Sequence, residues 1–248
     1  MAAVTLLSTS GLSRQFGGLK AVDQVDFSIR EGEIRALIGP NGAGKTTFVS
    51  LLSGRIVPSA GRISFAGEDI TAMPAHGRVR KGIAYTFQIT SIYPTMTAFD
   101  NVALPVQTAL KKAKAAGPAG GAAVIAQRSL AALERVGLAD RAGVKAGTMS
   151  YGHQRLLEVA MGLALEPRLL ILDEPTQGLS DGEIDNFCAL VKDISRTATV
   201  LLIEHNMPVV MRLADRITVL DRGQILADGT PAEIRANPAV QAAYLGTG

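Results

Sequence analysis

Period-2 alternation marks the first third of the chain. Val25, Phe27 and Ile29 alternate with Asp26, Ser28 and Arg30, the pattern of a strand with one buried face. Glu31-Gly32 supplies a turn, and Ile34 to Ile38 reads as a second strand. Ile63 and Phe65 resume the alternation after a break at Pro58 to Gly61. Between them, Thr46 to Ser53 carries Phe48, Leu51 and Leu52 at helical spacing, with Gly54 placed as a C-terminal cap. The middle third changes period. Thr97 to Leu110, Ala126 to Val136 (on Leu130, Leu133 and Val136) and Gly152 to Leu165 are predicted helices. Residues 112–124 are dominated by Ala and Gly with Pro118 inside, which predicts a flexible surface loop. In the last third, Leu169 to Leu172 and Val200 to Ile203 are continuous apolar runs, as expected of strands buried on both faces of a parallel sheet. Ile217 to Leu220, the turn Asp221-Arg222-Gly223 and Gln224 to Ala227 read as a hairpin. The pattern predicts an α/β fold with a parallel-sheet core and a helical insertion near 90–160, without internal repeats.

Composition narrows the class. The chain has 248 residues, enough for a real hydrophobic core, and 47% of them are hydrophobic, which excludes wholesale disorder. Lys plus Arg number 25 against 22 Asp plus Glu, and the resulting +3 is too small to argue for nucleic-acid binding. Cys188 is the single cysteine, so neither an intrachain disulfide nor a cysteine-based zinc cluster is possible. Its spacing with Ile184, Phe187 and Val191 makes it a core residue. His76 lies among Pro74, Gly77 and Arg78 without a second ligand at metal spacing and reads as a surface residue, and Lys111, Lys112 and Lys114 read as a solvated face. The N-terminus does not read as a signal peptide, and no run of about 18 apolar residues predicts a membrane span.

The chemistry begins at Gly39-Pro40-Asn41-Gly42-Ala43-Gly44-Lys45-Thr46, which satisfies G-x-x-x-x-G-K-[ST]. A triphosphate is multiply anionic and needs donors on several sides. Glycines let backbone N–H groups converge on it, Lys45 adds a cation, and the Thr46 hydroxyl is a ligand for Mg²⁺ at a helix N-terminus, with Thr47 next in line. Leu169 to Leu172 ends in Asp173-Glu174, which delivers two carboxylates to the C-terminal edge of a strand. There Asp173 suits Mg²⁺, and Glu174 suits proton transfer from an attacking water.

Further elements follow in a fixed order: Phe16 before Gly17-Gly18, Phe87-Gln88, Ser150-Tyr151-Gly152-His153-Gln154-Arg155, Gln177-Gly178-Leu179-Ser180 and Glu204-His205. With the phosphate loop and the carboxylate strand they resemble the ATP-binding cassette (ABC) ATPases over essentially the whole chain. The resemblance implies one nucleotide-binding domain over 4–248, with an N-terminal antiparallel β subdomain and the helical insertion. It implies that Phe16 stacks on adenine. Gln88 would reach Mg²⁺ or the attacking water, and His205 the γ-phosphate and the catalytic carboxylate. Ser150, Tyr151, Gly152 and His153 would cap ATP held by a second copy, so an active unit needs a pair. Met149, Tyr151 and His153 depart from the commonest Leu-Ser-Gly-Gly-Gln signature, and Ser180 stands where an Asp is usual. The signature variant, Thr86-Phe87-Gln88 and the ending Ala243-Tyr244-Leu245-Gly246 look like the ATP-binding subunits of bacterial branched-chain amino acid importers, with urea and amide importers as close relatives.

On that resemblance the chain is expected to bind ATP and Mg²⁺ and to sit peripherally on the cytoplasmic face of the inner membrane. Its expected partners are a second ATP-binding subunit, identical or related, transmembrane permease subunits touching it near Gln88 to Met96, and a periplasmic solute-binding protein, with no nucleic acid. The alternatives are a soluble ABC ATPase acting on ribosomes or DNA, the ATPase of another transporter such as a lipopolysaccharide exporter, and a phosphate-loop kinase or GTPase. The missing Asn/Thr-Lys-x-Asp element speaks against a GTPase.

Overall fold

A computed structural model describes residues 4–86, 91–113 and 118–245. In chain order the elements are β1 (Thr5–Phe16), β2 (Leu19–Arg30), β3 (Ile34–Ile38), α1 (Lys45–Ser53), β4 (Ala60–Phe65), β5 (Glu68–Asp69), α2 (Ala75–Lys81), β6 (Ile83–Thr86), α3 (Ala98–Ala113), α4 (Pro118–Arg135), α5 (Tyr151–Leu163), β7 (Leu169–Asp173), α6 (Asp181–Ile194), β8 (Thr199–Ile203), α7 (Met207–Leu213), β9 (Arg216–Asp221), β10 (Gln224–Gly229) and α8 (Pro231–Ala236). They fall into two compact units, Met1–Arg78 with Val191–Gly248, and Val79–Leu190.

The first unit holds an antiparallel sheet in the order β2-β1-β4-β5. The β2 alternation is real: Val25, Phe27 and Ile29 are buried, and Phe27 packs edge-on against Phe48 of α1 at 5.3 Å. β3 pairs in parallel with both β8 and β9, and β9 turns into β10 as the anticipated hairpin. All of β3 and β8 is buried, which explains the unbroken apolar run Val200 to Ile203 of β8. Arg35 is the exception within β3. It is 3% exposed and binds Glu33 at 2.6 Å, Thr218 at 3.0 Å and the Asp228 carboxylate. A core of Ala36, Ile38, Val210, Ile217, Val219, Ile234 and Val240 closes over the β3–β9 pair. Gly54 is the cap that its position suggested: φ is +77° and its N–H donates to Leu51 O at 3.2 Å.

The second unit is built on β6 and β7, paired in parallel from Ile83↔Leu169 to Thr86↔Leu172. α3, α4 and α5 pack on one another, and α5 also packs on β6. Gly162 brings α5 close to the strand pair, since a Cβ there would lie 3.1 Å from Leu170 Cδ1. Residues 114–117 lie outside the described residues; at 112–113 and 118–124 the structure corrects the reading as a loop. α3 runs through Ala113 and α4 starts at Pro118. Alanine is the strongest helix former, and proline at a first helical position removes only a donor that would have no intrahelical partner. At 112–113 and 118–124 the compositional bias therefore falls within helix. In α4, Leu133 is buried but Leu130 is 44% exposed, so Leu130 does not belong to the packed face. Cys188 is buried in α6 and His76 is exposed, both as expected. Among the described residues no helix is long and apolar enough to cross a membrane.

Candidate active site

In the first unit, β3 delivers the chain to residues 39–44, which fold back into α1. Two glycines are required by close approach. A Cβ on Gly39 would collide with Leu220 O, and one on Gly44, at φ +99°, with Ala21 O. The loop is braced from the β9–β10 turn, where the Gly223 N–H donates to Ala43 O at 2.9 Å. Lys45 Nζ donates to Gly39 O at 2.6 Å and Pro40 O at 3.0 Å, so the ammonium is held over the loop. Gly44 caps α1 without a side chain and the first turn of α1 has no acidic residue. The positive end of the helix dipole is thus left to an outside anion. Asn41, Gly42 and Thr46 are exposed, and Pro40, Thr47 and Lys45 half-buried.

Phe16 ends β1 and is 45% exposed, which excludes a core role; the Arg14 guanidinium covers one ring face at 4.6 Å from the centroid. His205 follows β8 and is exposed. Its turn is held by the buried Glu204, whose Oε2 accepts from the N–H groups of His205 at 3.0 Å and Asn206 at 3.2 Å.

In the second unit, Asp173 is the last residue of β7 and Glu174 the next. Asp173 is 4% exposed and accepts a hydrogen bond from the Tyr85 hydroxyl at 2.6 Å. Glu174 is half-buried and sits at φ +47°, a left-handed conformation that costs a non-glycine residue on the order of 1 kcal/mol or more. Arg155 of α5 holds this strained end: its Nη2 donates to Asp173 O at 2.8 Å and Glu174 O at 3.0 Å, and its Nη1 pairs with Glu158 at 2.8 Å. Both Arg155 and Glu158 are buried.

Ser150 is the N-cap of α5, its Oγ accepting from His153 N at 3.3 Å, and the first turn carries no acidic residue. Gly152 is buried and has no room for a side chain, because Glu183 Oε1 occupies the space of a Cβ. The exposed Tyr151 ring lies 3.0 Å from where a Cβ of Gly178 would stand. Ser180, the departure from the usual Asp, has a local role: its N–H and hydroxyl donate to Glu183 Oε2 at 2.9 and 2.7 Å. Those two bonds hold the Glu183 carboxyl below its ordinary range. Phe87 and Gln88 lie outside the described residues. Tyr85 and the anchoring role of Arg155 had no counterpart in the sequence reading. A tyrosine next to Thr86 in a short apolar strand carries no spacing signal for a carboxylate far along the chain.

A family model described as ABC transporter matches residues 22–177, and one described as branched-chain amino acid ATP-binding cassette transporter matches residues 224–248. The high-affinity branched-chain amino acid transport ATP-binding protein BraF of Pseudomonas aeruginosa is 43% identical, covering 97% of this chain and 98% of that protein. Its counterpart named LivG in Salmonella typhimurium is 41% identical over the same shares, 97% and 98%. A crystal structure of an ATP-binding cassette of an ABC transporter in its ADP conformation superposes with a TM-score of 0.85 at 27% identity, covering 98% of this chain and 99% of that one.

Proposed function

The chain belongs to the ABC transporter ATP-binding family, and on that premise we propose that it powers a bacterial importer of branched-chain or other hydrophobic amino acids or amides. The match at 224–248 and the names of the relatives support this substrate class. ATP hydrolysis coupled to transport is the activity of the family. The observation that carries the reading is the phosphate loop, with Lys45 held over it and beneath it a helix N-terminus that no side chain caps.

In this reading residues 39–47 bind the phosphates, the free face of Phe16 stacks on adenine, and Glu174 takes a proton from, or orients, the attacking water. His205 contacts the γ-phosphate, and Gln88 engages as the site closes. The Thr46 hydroxyl and the buried Asp173 carboxylate are hard oxygen donors, the donor chemistry Mg²⁺ prefers. When bound, Mg²⁺ would offset the negative charge of the phosphates. Ser150, Tyr151, Gly152 and His153 cap ATP held by a second subunit, so that two chains close over two nucleotides. Permease subunits dock near Gln88 to Met96, where Ser91, Tyr93, Leu104, Pro105 and Met161 line a cavity of about 300 Å³. The protein then works peripherally at the cytoplasmic face of the membrane, with a periplasmic solute-binding protein in the full system.

Steady-state hydrolysis by the purified Glu174→Gln protein tests this. Hydrolysis is expected to fall by roughly 100-fold or more, the usual contribution of a positioned general base, with ATP affinity retained. A variant as fast as wild type would contradict the assignment.

A further inference from the structure

Two different groups hold the end of β7. Arg155 anchors its main chain through the carbonyls of Asp173 and Glu174. Tyr85 holds a side chain: its hydroxyl donates to Asp173 Oδ2 at 2.6 Å, within the short range of a hydrogen bond to an ionised carboxylate. Tyr85 stands on β6 opposite Ile171 of β7, and it lines the cavity with Leu104, Pro105, Met161 and Leu165 beside the polar Thr108 and Glu158. Tyr85 is thus half-buried at the cavity edge while its hydroxyl reaches a carboxylate that is 4% exposed. The terminal torsion of a carboxylate is soft and roughly two-fold. A donor fixed on Oδ2 sets the direction in which Oδ1 presents its lone pairs.

We propose that Tyr85 is a positioning residue for the metal-holding carboxylate, fixing Asp173 so that its other oxygen is oriented toward Mg²⁺ and its water shell. The proposal rests on the reading above that Asp173 serves the metal. Metal-holding carboxylates depend on such outer hydrogen bonds, and losing one typically costs about 10- to 100-fold in metal affinity. Because Arg155 holds the main chain independently, removing the hydroxyl leaves the strand end in place. The effect thus falls on metal affinity rather than on folding or on ATP binding as such.

The test is Tyr85→Phe, which keeps the ring and deletes only the hydroxyl. Mn²⁺ is titrated onto the ADP-saturated protein and followed by electron paramagnetic resonance, beside the Mg²⁺ dependence of hydrolysis and thermal unfolding without nucleotide. The Mn²⁺ dissociation constant is expected to rise about 10-fold or more, with the half-maximal Mg²⁺ concentration rising in parallel. The KM for ATP at saturating Mg²⁺ and the unfolding temperature stay at wild-type values. Mn²⁺ affinity within twofold of wild type would overturn the tyrosine assignment alone. Loss of folding in the variant would overturn it too, by making the hydroxyl structural. A wild-type protein that neither binds Mn²⁺ with ADP nor hydrolyses ATP would instead overturn the functional reading on which it rests.

Discussion

Arg78 shows how much a single buried cation can hold in place. It is 1% exposed and donates to Leu51 O at 2.6 Å, Leu52 O at 2.9 Å, Met73 O at 2.9 Å and Thr71 O at 3.1 Å. Leu51 and Leu52 lie in the last turn of α1, whose carbonyls lack intrahelical donors and whose dipole favours a cation. Burial pulls the guanidinium down to about 10, still charged at neutral pH. Gly54 leaves the room for it, since a Cβ there would come within 2.8 Å of Arg78 Nε. Arg78→Met removes one donor from each of these carbonyls, Leu51 O keeping only the Gly54 N–H. It is expected to cost about 3 kcal/mol and lower the unfolding temperature by roughly 6–12 °C, with Arg78→Lys recovering only part. Calorimetry checks this, and an unchanged transition would contradict it. The sequence identified Lys45, Thr46 and Asp173 as chemistry because their motifs are local. Arg78 reads in the sequence only as a neighbour of His76, and nothing in its spacing shows that it folds back onto α1. The left-handed Glu174 was equally silent, because strain is a property of backbone angles and not of residue type.

Elements were legible where one periodicity runs unbroken. β3, β7 and β8 stand within a residue or two of their apolar runs, and α5 within two of its predicted ends. β1 escaped notice for a physical reason: its pairing with β2 shifts register repeatedly between Thr5 and Gln15, with Gly11 at φ +54°, so the period-2 signal is scrambled. Of α4 only the part ahead of Ala126 escaped, because an Ala/Gly-rich segment carries little hydrophobic contrast. The cap that opens α8 was the other missed signal. Thr230-Pro231-Ala232-Glu233 is a capping box opening α8, which places Ile234 in the core. The Thr230 N–H and then its hydroxyl, both donating to Glu233, hold that carboxyl below its ordinary value of 4.5. A depressed carboxylate contributes stability that is complete above 4.5 and is lost as pH falls through the lower folded value. Acid unfolding should therefore weaken the wild type more steeply below about pH 4.5 than Glu233→Gln. Parallel acid profiles for the two proteins would remove the carboxylate from the account.

At the scale of the whole chain, the order of motifs carried more than any one of them. Residues 16, 39–47 and 205 belong to one compact unit, while 150–153, 173 and 174 belong to the other. Each group is built locally by its own strand end and helix N-terminus. The sequence therefore named nearly all the candidate residues, yet could not show what braces them: Gly223 under the phosphate loop, Arg155 behind the carboxylates, Tyr85 on Asp173. Those braces join positions distant in sequence, and only folding brings them together. The central claim is that a loop of main-chain amides and one ammonium group grips a nucleoside triphosphate. Equilibrium titration of ATP onto the wild type and Lys45→Ala tests it most directly. The account predicts saturable binding by the wild type and a loss of roughly 10- to 100-fold in the variant, the worth of a charged hydrogen bond to phosphate. Equal affinity in the two proteins, or no binding by the wild type, would contradict it.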